Sequence, residues 1–346
     1  MDCSSAETTT IRWHGRREGS PLHALPLATL YLTERCNSRC VSCDYWRHGR
    51  RDMGLDEVAL LLPGFKALGT KVVLVSGGEP LLHPQWAEIA QLLRAQGLRL
   101  WLLSAGLALA KHAGRVAELF ESLTVSLDGS TRASYAAIRG VDAFDKVCEG
   151  IRAAAGLGMA VGLRVTVQRA NFAELSGLVK LARELGAASI SFLAADVSSG
   201  EAFGRLDEEE GSDAGIALRA EDLPALAEVL DVLERDHAAD FASGFILESP
   251  AKLRRLHAYY RALCGLGDFP PVRCNAPEFS AVVEADGGLR PCFFIAGTEK
   301  TWDIAAGLNT PAMKGLRADV RAGGRSECER CVCAKWRDPA EALFSA

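Results

Sequence analysis

LATLYLTERCNSRCVSC, residues 27–43, decides how this chain is read. Its first seven residues are apolar, aromatic or β-branched, with no breaker among them, and they read as a strand over 27–33. Cys36, Cys40 and Cys43 follow directly. In barrel-like α/β folds, chemistry sits in the loops at the C-terminal ends of strands. Three thiolates in one short loop can wrap one face of an iron–sulfur cluster or hold zinc. Three ligands rather than four leave one metal position open for a substrate or cofactor.

Outward from this stretch, short apolar runs alternate with helix-like segments as far as residue 195. Further strands are predicted at 71–76, 98–104, 122–128, 160–168 and 188–195, and helices at 55–68, 85–96, 111–120, 143–157 and 173–185. Repeated βα units predict an α/β fold with a parallel sheet under helices. Six such units make a partial (β/α)6 barrel, since a closed one needs eight. The pattern breaks over 198–215, a polar, acidic, Gly-rich stretch that reads as a surface loop. Helices are predicted again at about 221–237 and 249–263. FSAVVEADGGLRPCFF, residues 279–294, reads as a β-hairpin turning at Asp286-Gly287-Gly288. A helix-like stretch is expected at the very end. The expected division is an extension at 1–26, a barrel at 27–240, and a small hairpin-and-helix domain at 241–346.

The bulk numbers agree with a globular chain. It has 346 residues, 49% apolar and 24% charged, enough to bury a core without disulfides. With a net charge of −5, no general attraction to nucleic acid or to an anionic membrane is expected. Basic patches at Arg12 to Arg17 and Arg47 to Arg51 are short and read as solvated surface. The N-terminus lacks a basic start followed by an apolar run, and no uncharged apolar stretch is long enough to span a bilayer. A cytoplasmic protein is expected. Disulfides are disfavoured there, so eleven cysteines point to metal or redox work. Cys3, Cys148 and Cys264 stand alone, and Cys148 falls in a predicted helix as a small apolar residue.

The remaining motifs sit at the ends of predicted strands. The second strand ends Ser76-Gly77-Gly78-Glu79-Pro80. Paired glycines let backbone approach a ligand closely, and a carboxylate can accept from an ammonium group. The fourth ends Ser126-Leu127-Asp128-Gly129, where a simple turn cap is the bland reading, and the fifth carries Arg164, which an ordinary ion pair would also explain. With the cysteine triplet, these motifs give residues 27–195 a resemblance to the radical S-adenosylmethionine (SAM) superfamily. The resemblance implies a [4Fe–4S] cluster on Cys36, Cys40 and Cys43, with SAM on its open iron. Gly77, Gly78, Glu79, Ser126, Asp128 and Arg164 would lie around SAM, with Arg164 towards its carboxylate. Two positions depart from the family pattern. Ser42 stands where an aromatic residue usually precedes the third cysteine, and Ser104-Ala105-Gly106 replaces a common Thr-Asn-Gly.

The second cysteine group is Cys274, Cys292, Cys328, Cys331 and Cys333. It resembles the auxiliary-cluster domain of radical SAM enzymes, in its long (SPASM) or short (twitch) form. The cysteines are too few for two complete clusters, so the short form is expected, with a second [4Fe–4S] cluster on Cys274, Cys292, Cys328 and Cys331. Cys333 can replace one of them, and Cys264 is the nearest spare. Two cysteines on a hairpin followed by a CxxC also suit structural zinc.

The resemblance implies reductive cleavage of SAM to a 5′-deoxyadenosyl radical that abstracts a substrate hydrogen atom. A net oxidation or rearrangement of a small-molecule or carrier-bound substrate is expected, with an electron donor such as flavodoxin or ferredoxin. A peptide maturase, forming a crosslink or an epimer, is the rival. Peptide-modifying members often carry an N-terminal recognition domain, and only about 26 residues precede the first strand here, which favours the smaller substrate. In some sulfatase-maturing relatives an acidic base follows the cysteine corresponding to Cys292; Phe293 here speaks against that activity. A non-catalytic metal-binding protein of the same fold is the remote alternative.

Overall fold

Six strands form close to their predicted places: β1 (Leu27–Thr33), β2 (Val72–Gly77), β3 (Arg99–Ser104), β4 (Ser122–Ser126), β5 (Val161–Val167) and β6 (Ser189–Ala194). The structure is a computed structural model describing residues 20–200, 202–203 and 215–337. Helices α1 (Leu55–Ala67), α2 (Trp86–Ala95), α3 (Leu109–Leu119), α4 (Arg132–Arg139), α5 (Phe144–Gly156) and α6 (Leu175–Glu184) alternate with the strands. Each strand pairs in parallel with the next in sequence. An order that always steps the same way, joined by right-handed crossovers, carries every helix to one face of the sheet. The result is a parallel sheet covered on one side, a barrel left open.

The strands show this in their burial. Val161, Leu163, Val165 and Val167 of β5 are buried beneath the helices, whereas Gly162, Arg164 and Thr166 between them are only half-buried. Strands β3 and β4 alternate in the same way. The apolar face packs Leu30, Leu32, Leu61, Phe65, Leu93, Leu100 and Phe192 into one core. Each such side chain removed from water stabilises the fold by about 1.5–3 kcal/mol. The opposite face carries Ser126 and Arg164, both half-buried.

Two departures from the sequence reading bear on the site. The fourth strand stops at Ser126, so Asp128 belongs to the loop beyond it. Helix α4 was not foreseen. It is short, capped by Thr131, whose Oγ1 accepts from the Ser134 amide at 3.2 Å, and stopped by Gly140 at φ +66°.

After α7 (Leu223–Asp236), α8 (Ala238–Ala242) and α9 (Pro250–Leu263), the expected hairpin forms from β7 (Ser280–Val283) and β8 (Gly288–Arg290), followed by β9 (Glu299–Lys300). Strand β7 lies parallel to β1, with Leu27 opposite Ser280 and Leu30 opposite Val283. One sheet therefore runs β6-β5-β4-β3-β2-β1-β7-β8-β9 through the barrel and the C-terminal region. Helices α10 (Ile304–Gly307), α11 (Pro311–Ala322) and α12 (Ser326–Glu329) complete that region. A second small core of Ile295, Leu316 and Val320 packs there against Cys292 and Cys328. The free edge of β6 is covered: Ile190 N donates to Phe245 O at 2.8 Å, and Phe192 N to Glu248 Oε2 at 2.9 Å.

Arg51 corrects the reading of its patch as plain solvated surface. Its Nε donates to Ala285 O at 2.8 Å and its Nη2 pairs with Glu57 at 2.5 Å, tying the loop before α1 to the hairpin turn. Cys3, the patch at Arg12 to Arg17, most of the acidic 198–215 stretch and the final residues from 338 lie outside the described residues. Among the described residues, no helix is long and apolar enough to cross a membrane.

Candidate metal and cofactor site

The loop carrying Cys36, Cys40 and Cys43 is clamped by the end of β2 and by the end of α4. On the β2 side, Gly78 N donates to Thr33 O and Glu79 N to Arg35 O, each at 2.8 Å. A Cβ on Gly78 would lie 2.2 Å from Arg35 O; on Gly77, held at φ +114°, it would lie 2.7 Å from Thr33 O. The glycine pair is thus required first by the cysteine loop's own backbone. Arg35 fixes the start of the loop. Its Nε and Nη2 grip Asp52 at 3.1 and 2.6 Å, and Nη2 also donates to Leu82 O at 3.0 Å. On the α4 side, Arg39 N donates to Arg139 O at 2.8 Å and Val41 N to Ile138 O at 3.0 Å.

Arg139, at the last position of α4, is the residue that sequence reasoning missed. Its Nη1 donates to Cys40 Sγ at 3.1 Å, its Nη2 to Ser126 O at 2.8 Å, and its Nε is 3.2 Å from Asp128 Oδ2. It is 8% exposed. Burial works against its charge, but Cys40, Asp128 and Tyr135 hold its pKa above the usual arginine value. The only sequence signal was Thr131 and Gly140 bracketing a possible helix.

The motif residues fall around this loop. Glu79 is fully buried, and its carboxylate accepts from Leu81 N at 3.1 Å, Ser104 Oγ at 2.9 Å and Ala105 N at 2.6 Å. Burial raises its pKa, and these bonds oppose the rise. These bonds brace the ends of β2 and β3, and Ser104 takes part in that brace. Asp128 accepts from Thr166 N at 2.6 Å, and its main-chain oxygen accepts from Asn171 Nδ2 at 2.8 Å. Burial raises its carboxyl pKa against the pull of Arg139. Arg164, opposite Ser126 in the β4–β5 register, donates from Nε to Ser191 Oγ at 2.7 Å and stands on the half-buried open face.

Cys274, Cys292, Cys328 and Cys331 come within electrostatic reach of one another although their segments are far apart in sequence. Cys333 lies beside Cys331, to whose sulfur its amide donates at 3.4 Å. Cys264 lies elsewhere, 3.6 Å from Leu218 O and near Glu221 and Asp222. Cys148 is buried in α5. Phe203 touches a residue next to each cysteine group. Asp44 N donates to Phe203 O at 2.9 Å, and the Phe203 ring packs edge-on against Phe294.

The donor set fits sulfur-ligated metal. Cys36 and Cys43 accept the amides of Ser38 and Tyr45, and Cys274, Cys292 and Cys331 accept those of Ala276, Phe294 and Cys333. An amide two residues on that points at sulfur stabilises a thiolate. Burial pushes the thiols up, Cys36 and Cys292 to about 11 and Cys43 to about 12. A bound cation is what would make them thiolates at neutral pH. Among the described residues, no three His, Cys, Asp or Glu side chains close on a single-ion position.

The Radical SAM superfamily profile matches residues 30–182. Fe-coproporphyrin III synthase of Methanosarcina barkeri is 24% identical over 99% of this chain and 90% of its own length. GTP 3′,8-cyclase 1 of Mycobacterium tuberculosis is 34% identical over 46% of this chain, which spans about half of that protein, 48%. In fold, the chain is similar to Streptococcus suis SuiB bound to S-adenosylmethionine, with a TM-score of 0.65 at 13% identity, covering 94% of this chain and 77% of SuiB. It is also similar to anSMEcpe bound to AdoMet and the Cp18Cys peptide, with a TM-score of 0.63 at 18% identity, covering 84% and 82%.

Proposed function

We propose that this chain, whose residues 30–182 match the radical SAM superfamily, holds a [4Fe–4S] cluster on Cys36, Cys40 and Cys43 and leaves one iron for SAM. When bound, these two cofactors supply one-electron cleavage of SAM and a 5′-deoxyadenosyl radical that takes a hydrogen atom from an unreactive C–H bond. The protein's part is placement. Gly77 and Gly78 seat the cysteine loop against β2, and Glu79 braces the floor from below. Ser126, Asp128 and Arg164 line the open face where SAM would lie, with the guanidinium of Arg164 suited to its carboxylate. The helix-covered face closes the back of the sheet to water.

Cys274, Cys292, Cys328 and Cys331 are proposed to hold a second [4Fe–4S] cluster, in a C-terminal region (241–346) that shares its sheet with the SAM-binding part (27–240). A second cluster can take an electron from the substrate, so the reaction is read as a net oxidation or rearrangement. A flavodoxin or ferredoxin would supply the reducing electron. A small-molecule or carrier-bound substrate is preferred, because a relative that aligns along 99% of the chain is named for Fe-coproporphyrin III. A peptide substrate is the second reading, favoured by fold neighbours solved with SuiA and with the Cp18Cys peptide.

The observation that carries the proposal is the thiol-bearing loop locked between the end of β2 and the end of α4. The test is anaerobic reconstitution with iron counting and an assay for 5′-deoxyadenosine. About eight irons per chain and SAM cleavage on reduction are expected. About four irons would remove the second cluster, and no cleavage by a loaded, reduced protein would sink the first.

A further inference from the structure

Five of the thiols near the two candidate clusters accept a backbone amide from two residues further on. Cys40 is served differently. Its sulfur accepts from a buried guanidinium, Arg139 Nη1, at 3.1 Å. The donor is fixed from three directions. Asp128 lies 3.2 Å from Nε, Ser126 O accepts from Nη2 at 2.8 Å, and the Arg139 carbonyl accepts from Arg39 N at 2.8 Å, so the same residue holds the loop that bears Cys40. The next residue is tied to that approach, because a Cβ on Gly140 would lie 2.2 Å from Arg39 O.

We infer that Arg139 is a positioning residue that sets the reduction potential of the cluster on Cys36, Cys40 and Cys43, raising it through its hydrogen bond to Cys40. The inference rests on the ligand assignment proposed above. A reduced cluster carries one more negative charge than an oxidised one, so a cation held at its ligand sulfur stabilises the reduced form more. The effect is large where water is excluded, and hydrogen bonds to ligand sulfur are a recognised lever on cluster potential. A charged donor acts more strongly than an amide. Asp128 offsets part of the charge but also aims the fork, since its other oxygen is fixed by Thr166 N at 2.6 Å. A buried arginine held between one carboxylate and a thiol gains its second negative partner when that thiol becomes a cluster ligand.

The experiment is an EPR-monitored redox titration, without SAM, of the reconstituted full chain as wild type, Arg139→Lys and Arg139→Gln. Lysine keeps the charge but loses the planar fork, and glutamine loses the charge. The midpoint should move to more negative values in the order wild type, Lys, Gln, with iron content unchanged. A Gln variant titrating at the wild-type potential would overturn the inference. If the Gln variant loads no cluster, the Lys variant decides: a potential below wild type supports the inference, and a wild-type potential overturns it. Failure of the underlying assignment looks different, because the wild-type protein itself would then show no reducible [4Fe–4S] signal that depends on Cys36, Cys40 and Cys43.

Discussion

The two cysteine groups reach similar surroundings by opposite routes. Cys36, Cys40 and Cys43 lie in one loop, and the ends of β2 and α4 hold that loop through bonds with Gly78, Glu79, Ile138 and Arg139. Cys274, Cys292, Cys328 and Cys331 come from separate segments around a small core of Ile295, Leu316 and Val320. The first group inherits its geometry from a sheet built for other reasons. The second has little apolar packing of its own and depends more on what it binds. A site that must keep one metal position open needs a rigid frame, whereas four thiolates around a cluster can close on it themselves.

Exchanging ligands should separate the groups most sharply. Cys40→Ser is expected to abolish SAM cleavage while leaving about half of the iron. Cys328→Ser is expected to lose the other half, keep 5′-deoxyadenosine formation, and lower the melting temperature of the C-terminal region. Iron counts and product assays on both variants check this. Loss of SAM cleavage in Cys328→Ser would mean that the groups are not separable.

A smaller effect tests whether the frame is the reason for the first group's order. Gly78→Ala brings a Cβ within 2.2 Å of the Arg35 carbonyl, so the cysteine loop must shift. A cost of about 2–4 kcal/mol and poor loading of the first cluster are expected, with the second cluster intact. Gly114→Ala in α3, where nothing lies within 4 Å, serves as the control and should be neutral or slightly stabilising. Urea unfolding and iron counting would decide, and a Gly78→Ala protein that loads normally would show that the loop does not need the clamp.

The same division marks what could be read from sequence. The strand into the Cys36 loop, the glycine pair and the alternation of β and α depend on residues close in the chain, and period and spacing reveal them. Arg139 meets Cys40 across 99 positions, and no local pattern announces that contact. Helix α4 was missed because it is too short for periodicity to stand out. Strand β7 showed itself as one arm of a hairpin, but its seat beside β1, Ser280 opposite Leu27, is a long-range pairing. No local pattern marks Asp52, and only the fold shows it gripping Arg35 ahead of Cys36.

The gentlest probe acts on what the groups share. Burial raises the thiols of Cys36 and Cys292 to about 11 and of Cys43 to about 12, from 9.0 for a free thiol. In the metal-free fold these groups keep their protons up to those values, whereas the unfolded chain releases them near 9. Between about 9 and about 12 the native state binds more protons, so stability must fall as pH rises. Urea unfolding of chelated, reduced protein at stepped pH should show that decline. Lysines and tyrosines titrate in the same window, so the decisive quantity is the difference from Cys43→Ser, whose slope should be shallower. The reconstituted protein should lose the thiol contribution altogether, because iron already holds the thiolates. Equal slopes for wild type and Cys43→Ser would mean that the Cys43 thiol is not desolvated in the metal-free loop. The frame would then leave the first group as open to water as any surface cysteine.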